Sequence, residues 1–299
     1  MPHDAVTRGC FVSGPGRVFI SADYCGQESA ITASVANDER MLDILNTGGD
    51  MHSTFAKLCW PLEIGDTPVE RVKKLFNDIR GEAKKVEFGI FYGGDNHTLE
   101  KNLGFDSPKA LDVYTRFMDS FTGIKGYQDY CRAEVMKKGY IKMNPVFGHR
   151  AHIFDFSYLS IIQNEIADPY TMENYYFYSR HDKSHPLVKR IQYYNRRKAE
   201  SERQSINYRI QNRGACAFKL ASIYLFKWLR ERNYLNVVKV QVVAHDEIDL
   251  DCPIEIAEEV AAKLVECMEE GGKYFCTRTK LSAEVSRLPD GSLPTYWVH

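Results

Sequence analysis

Two carboxylate positions carry the first suggestion of chemistry. Asp23 closes a short β-rich run, and Asp246-Glu247 sit at a candidate turn 223 positions later. If the two strands share a sheet, the two turns would face one another. Paired carboxylates of this kind can bridge two Mg²⁺ ions about 3.5–4 Å apart, one lowering the pKa of an attacking hydroxyl and the other stabilising a leaving phosphate. Mg²⁺ is hard and prefers a few carboxylates plus substrate oxygens. Acids are also common at turns because they bond the local backbone. Taken singly, each position therefore reads more readily as an ordinary turn acid.

A second set is cationic. Arg80, Lys84, Phe88 and Tyr92 recur every four residues, which places them on one helical face. That face presents a guanidinium, an ammonium and two rings. Arg suits a triphosphate by its fork, and Lys as a point charge or proton donor. The rings suit a sugar and a base by stacking. Gly89 and Gly93 flank the rings and permit close approach to a base pair. The plainer alternative is an amphipathic helix with two core aromatics and two cations lying along it.

The elements that must position these residues follow from local pattern. Arg17 to Asp23 is β-rich after a Gly14-Pro15-Gly16 turn. Glu28 to about Leu45 has helical spacing. Thr67 to Gly93 is a long helical pattern, opened by Pro68 and interrupted before Phe88-Gly89, and Asp106 to Lys138 is helical again. From 153 to 200 the chain is rich in Tyr, Asn and charge without a clean period, which predicts an irregular surface insertion. Gln204 to Arg232 predicts a helix, Val237 to Val243 a strand, and Ile248 to Asp251 an alternating strand after the Ala244–Glu247 turn. Pro253 to Gly271 predicts a helix and Leu281 to Val285 a last strand. Strands at both ends with helices between predict an α+β fold whose sheet joins distant parts of the chain.

Length and charge bound the partners. The chain has 299 residues and a formal charge of −1, so a uniformly basic coat is excluded. The charge is segregated instead. Residues 180–213 hold ten Lys/Arg and three Asp/Glu, whereas 243–270 hold ten Asp/Glu and one Lys. A basic run with interleaved Tyr193, Tyr194 and Tyr208 suits a nucleic-acid backbone, and equally a solvated helical face. The eight cysteines form no CxxC pair, which reads as reduced thiols rather than a zinc site or disulfide frame. The start, Met1-Pro2-His3-Asp4, lacks the features of a signal peptide. No apolar run of about 18 residues is present, so no spanning helix is expected. A cytosolic site, or a host cytosol, is expected.

Together and in this order, these elements resemble the C-terminal part of a family A DNA polymerase, the bacterial DNA polymerase I type. Ser21-Ala22-Asp23-Tyr24-Cys25-Gly26-Gln27-Glu28 resembles the first catalytic motif, SADYSQIE. Arg80, Lys84, Phe88-Gly89 and Tyr92-Gly93 resemble the fingers helix, and His245-Asp246-Glu247 the VHDE hairpin. Asp50-Met51-His52 resembles a DIH between the first two motifs. Arg203, Asn207 and Gln211 resemble the stretch before the hairpin, and Trp297-Val298-His299 the terminal WxxAH. Two departures stand out: Gln27 is displaced by one position, and Ala30 replaces an Arg. Asn212 follows Gln211 where the family has Gly, and the 153–200 segment is longer than usual.

The resemblance implies a right-hand palm with an antiparallel sheet and helical fingers. Residues 1–35 and 201–299 would be the two palm parts, and 36–200 the fingers. It implies that Asp23 and Asp246 hold two Mg²⁺ ions, with the Tyr24 carbonyl as a further ligand and Glu247 as an acidic neighbour. Arg80, Lys84 and His52 would contact the phosphates of a dNTP, Lys84 giving a proton to pyrophosphate. Phe88 would stack on the incoming sugar and base. Glu28, held by Tyr92, would exclude a ribose 2′-hydroxyl. Arg203, Asn207, Gln211 and His245 would contact primer-template DNA. The thumb, the first palm segment with its TGRLSS-like motif and the exonuclease domain find no counterpart in the sequence. The resemblance therefore predicts a split polymerase with those parts on a second polypeptide, an arrangement that a phage origin fits. A non-catalytic DNA-binding replisome subunit and a Mg²⁺ nuclease are the alternatives. Retention of Asp23, Lys84 and Asp246 argues against the first, and the triphosphate-type face against the second.

Overall fold

The computed structural model describes residues 5–298, so Met1-Pro2-His3-Asp4 and His299 lie outside the described residues. Its strands are β1 (Arg17–Tyr24), β2 (Tyr140–Lys142), β3 (Arg150–His152), β4 (Lys239–Ala244), β5 (Glu247–Pro253) and β6 (Ala283–Val285). β4, β5, β1 and β6 form one sheet in that order, antiparallel throughout. β2 and β3 form a separate hairpin. The fold is α+β, as its sequence pattern predicts.

Cα packing divides the chain into two compact units, one of residues up to Gly49 with those from Gln211 onward, the other Asp50–Ile210. The helix Pro186–Glu231 runs through the second boundary.

In the sheet-bearing unit, β1 lies centrally and is buried along nearly all its length. Side chains alternate along a strand. Val18, Ile20, Ala22 and Tyr24 form one face, which packs on the helix Ala257–Lys273; the Tyr24 hydroxyl donates to the Met268 carbonyl at 2.9 Å. Phe19, Ser21 and Asp23 form the other, registered against Asp251, Asp249 and Glu247 of β5. Gly271 lets the Ala257–Lys273 helix approach closely. A Cβ there would stand 2.6 Å from the Ala217 carbonyl oxygen and 2.9 Å from the Ala221 nitrogen.

In the Asp50–Ile210 unit, the helices Met51–Cys59, Asn77–Phe91 and Ser107–Ser120 share an aromatic core. Phe117 packs edge-on to Phe55 at 4.9 Å and Phe91 at 6.0 Å, and lies tilted 4.9 Å from Phe121. Because Phe117 touches three rings, Phe117→Ala should cost about 3–5 kcal/mol.

Several elements differ from the sequence expectation, each for a local reason. The expected Glu28–Leu45 helix is two, Gln27–Ala36 and Glu39–Asn46. Asn37 takes a left-handed conformation (φ 51), and the Asp38 carboxylate then accepts from the Met41 N–H, so a C-cap and an N-cap are adjacent. The helical break expected before Phe88 falls at Phe76 instead, between Val69–Leu75 and Asn77–Phe91. Phe121 likewise divides Ser107–Ser120 from Thr122–Lys138. Pro253 precedes a short 3₁₀ turn, Ile254–Ile256, before the helix proper begins.

The largest correction concerns 153–200, which is helical rather than irregular: Phe156–Ile166, Pro169–His181 and the first turns of Pro186–Glu231. Leu159 and Ile162 join Val135, Ile141, Ile153 and Tyr194 in one buried cluster. The Pro169–His181 helix buries none of its residues, so it had no apolar period to read.

Candidate functional site

The sheet register brings the carboxylates together. Asp23 lies directly opposite Glu247 in the β1–β5 ladder, and Asp246 is the next residue in the turn from β4. His245 and Asp246 form a two-residue connection between the paired Ala244 and Glu247. His245 is exposed at φ 53, a left-handed conformation in which His is more common than most residues. Asp23 and Asp246 are half-buried, with an edge to water. Burial first, then the charges of Cys276 and Asp246, push the Tyr24 phenol well above its ordinary range. Burial, then Glu284 and Asp23, push the Cys25 thiol up to about 11.

Glu247 turns inward and is buried. Its Oε1 accepts from the Ser21 hydroxyl at 2.6 Å and the Trp297 indole N–H at 2.7 Å, while Arg8 approaches at 3.5 Å. The Arg8 guanidinium lies 4.4 Å from the Trp297 ring centroid. One step further along β5, Asp249 is 0% exposed, and neither of its oxygens has a hydrogen-bond partner. Burial, then the Glu247 charge, raises its carboxyl to about 7. Asp251 is held by Arg17 Nε at 2.7 Å. An alternating strand would usually turn such acids to water; here two arginines and an indole cover them.

Glu28 lies half-buried in the first turn of the Gln27–Ala36 helix, behind Gly26 in a left-handed conformation. Beside it, a Cβ on Gly214 would stand 2.3 Å from Gln27 Oε1, so a larger residue there would displace the end of the Gln27 side chain. Arg203, Asn207 and Gln211 recur every four residues along the Pro186–Glu231 helix; Arg203 and Gln211 are exposed, and Asn207 has a buried Oδ1 with no partner.

The cationic face is built within the other unit. Ala83, Val86, Ile90 and Phe91 bury one side of the Asn77–Phe91 helix and so turn Arg80, Lys84 and Phe88 outward. Tyr92 caps its end, its ring stacked 6.4 Å from that of Phe88. Lys84 is exposed, enters no ion pair among the described residues, and stands 5.5 Å from the Phe88 centroid. Arg80 is already engaged: its Nε and Nη2 donate to Asp50 at 2.7 and 3.0 Å. Two of five N–H donors are thus used, leaving three for a ligand. Asp50 also caps the Met51–Cys59 helix through Ser53. Burial alone would raise its carboxyl, but the hydrogen bonds from Arg80 and Ser53 outweigh that and hold it at about 2.

His52 is fixed by a residue that the sequence reading did not single out. Its Nδ1 lies 2.6 Å from Oε2 of Glu87, which is 0% exposed. A carboxylate facing Nδ1 draws the proton there and leaves Nε2 as the unprotonated nitrogen. The available signal was a Glu between Val86 and Ile90, at core spacing on the helix. Arg8 and the Asp50 clamp had no such signal, because their partners lie far away in sequence.

The donor set at the sheet end is two hard carboxylate oxygens open to water. Among the described residues no group of three or more His, Cys, Asp or Glu is placed to hold a metal. Mg²⁺ usually takes one or two carboxylates and completes its shell with water and substrate phosphate. Asp23 and Asp246 therefore fit that ion.

The sequence profile of DNA polymerase family A matches residues 2–287. The chain belongs to this family. It is 27% identical over 263 residues to the thermostable DNA polymerase I of Thermus thermophilus, covering 88% of this chain and 26% of that protein. The DNA polymerase I of Lactococcus lactis is also 27% identical, with 88% and 25% covered. For that of Rhizobium leguminosarum the identity is 26%, with 97% and 24% covered. The chain thus spans about a quarter of the length of these relatives. Among solved structures, the POL domain of Pol1 from M. smegmatis, in complex with DNA primer-template and dNTP, superposes with a TM-score of 0.73 at 20% identity, covering 99% of this chain and 43% of that one. This likeness establishes the polymerase-domain fold. No helix among the described residues is long and apolar enough to cross a membrane.

Proposed function

We propose that the chain catalyses template-directed DNA synthesis, adding a dNTP to a primer 3′ end with release of pyrophosphate. The observation that carries the reading is the β1–β5 register, which sets Asp23 opposite Glu247 and beside Asp246 at one open sheet end. In this reading the sheet-bearing unit acts as palm and Asp50–Ile210 as fingers.

Asp23 and Asp246, with the Tyr24 carbonyl, would hold two Mg²⁺ ions. When bound, these would supply an acidified primer hydroxyl and charge neutralisation at the departing phosphate. Arg80 directs its remaining donors at the triphosphate, and His52 offers Nε2, once protonated, to a phosphate oxygen. Lys84 holds the proton that pyrophosphate takes as the α–β phosphoanhydride bond breaks, a general-acid role. Phe88 stacks on the incoming nucleotide. Glu28 leaves a ribose 2′-hydroxyl without a place, which selects deoxynucleotides. Arg203, Asn207, Gln211 and His245 contact primer and template. Glu247 positions the Asp246 turn through Ser21, Trp297 and Arg8.

Primer extension by the purified chain, with and without Mg²⁺, tests this. Extension that needs dNTPs, template and Mg²⁺ supports it. Extension that survives both Asp23→Ala and Asp246→Ala removes the metal assignment, and degradation of DNA without dNTPs would replace synthesis with a nuclease.

A further inference from the structure

We propose that the Pro169–His181 helix is a docking surface for single-stranded DNA. A helix in a folded protein draws most of its stability from a buried face. This one, 13 residues long, buries none. It is held at its ends instead. The Asp168 carboxylate accepts from the Thr171 N–H at 2.9 Å, and Pro169 opens the first turn. At the other end the His185 ring stacks on Tyr178 at 3.7 Å with 2° between planes, and His181 stacks on Phe177 at 4.4 Å. Its rings still face water: Tyr170 in the first turn is 71% exposed and Tyr176 56%, while Phe177, covered by His181 on one side, is 55% exposed. Helical spacing puts Tyr170, Phe177 and Arg180 on one face, with Tyr176 beside them and Glu173 as the carboxylate among them. Rings gathered on one exposed helix face are a candidate binding surface.

The charges around it indicate the occupant. The cations of this insertion fall into two groups. Arg190, Arg197 and Lys198 are spent on Glu165, Asp155 and Glu202, the first two tying the Pro186–Glu231 helix to the rest of the insertion. Arg180, Lys183, Lys189 and Arg196 enter no ion pair among the described residues. Exposed rings on the helix face that carries Arg180, followed in the chain by the unpaired Lys183 and Lys189, match a strand whose bases are free to stack and whose phosphates need neutralising. Duplex DNA offers no free base faces. The inference rests on the proposed polymerase activity only in taking DNA as the nucleic acid.

The test uses the full chain without dNTP or Mg²⁺ and reads fluorescence anisotropy with a labelled oligothymidylate and a blunt duplex. The variant Tyr170→Leu/Tyr176→Leu/Phe177→Leu keeps apolar bulk and removes the rings. It should bind oligothymidylate at least about tenfold more weakly and leave duplex affinity unchanged. Removing Arg180, Lys183 and Lys189 as alanines should flatten the salt dependence by about 0.7 per lost phosphate contact. Should the triple leucine variant melt early, Tyr176→Leu alone repeats the comparison. Wild-type oligothymidylate affinity in a folded ring variant overturns the proposal, as does an equal loss on duplex. It is equally overturned if the rings instead carry binding to anionic phospholipid vesicles or self-association. A chain that extends no primer, yet loses oligothymidylate binding in the ring variant, keeps this inference and removes the polymerase reading.

Discussion

The sheet end and the cationic helix solve opposite electrostatic problems by different means. At the sheet end, like charges crowd one face of β5, and backbone register places them: Asp23 opposite Glu247, Ser21 opposite Asp249, Phe19 opposite Asp251. Arg8, Arg17 and Trp297 cover the inner acids, and the outer pair keeps its access to water. Around the helix, each functional side chain has its own partner: Asp50 for Arg80, Glu87 for His52 of the neighbouring Met51–Cys59 helix, the Phe88 ring for Lys84. A ladder fixes position through many backbone bonds at once. A clamp fixes it through one side chain. The sheet end should therefore keep its strand register when one side chain is lost, whereas the helix face should lose geometry clamp by clamp.

The largest effects fall on the groups that would touch the reaction. Asp23→Ala and Asp246→Ala should abolish primer extension with little change in melting temperature, because both side chains reach water and the ladder persists. Lys84→Ala should lower kcat by roughly 10²–10⁴, the usual contribution of a general acid, with KM for dNTP changing less. Single-turnover extension separates the two. On the helix side, Glu87→Ala leaves a buried His52 N–H without its acceptor, at a cost of about 1–3 kcal/mol beyond the lost packing. A urea titration should show that loss, and KM for dNTP should rise as His52 turns. If Glu87→Ala leaves both unchanged, His52 is not held by a clamp and the contrast drawn above fails.

Much of this arrangement was legible in the sequence because it is local. Asp23 sits at the end of a β-rich run, and the spacing of Arg80, Lys84 and Phe88 alone defines a helical face. The 153–200 segment was misread because periodicity reports burial, and the Pro169–His181 helix buries nothing. The break at Phe76 was misplaced because no Pro or Gly marks it. Partners were harder still. Glu87 and His52 are 35 residues apart, Arg8 and Glu247 239. Such pairs depend on tertiary packing, which a single sequence does not encode as a pattern.

The smallest effects give the sharpest form of the contrast, because the two regions should respond to pH with opposite sign. Asp249 titrates at about 7 when folded against an ordinary 3.8. The native state then holds an extra proton between about pH 4 and 7, so this group lowers stability as pH rises through that window. Asp249→Asn removes the cost. The variant should match wild type near pH 4 and exceed it above pH 7, by up to a few kcal/mol at about 1.4 kcal/mol per pKa unit. Asp50 runs the other way. Its carboxyl is held at about 2 in the fold, so its contribution is full above about pH 4 and is lost as pH falls toward 2. Asp50→Asn keeps a competent N-cap, since Asn caps as well as Asp. It loses only the charge on Arg80, worth roughly 1 kcal/mol or less for a pair partly open to water. That deficit should be constant from pH 5 to 8 and vanish near pH 2. Urea melts of both variants across this range, in metal-free buffer, decide the matter. Two curves that diverge from wild type in the same direction on raising the pH would mean that one carboxylate is not in the environment described for it.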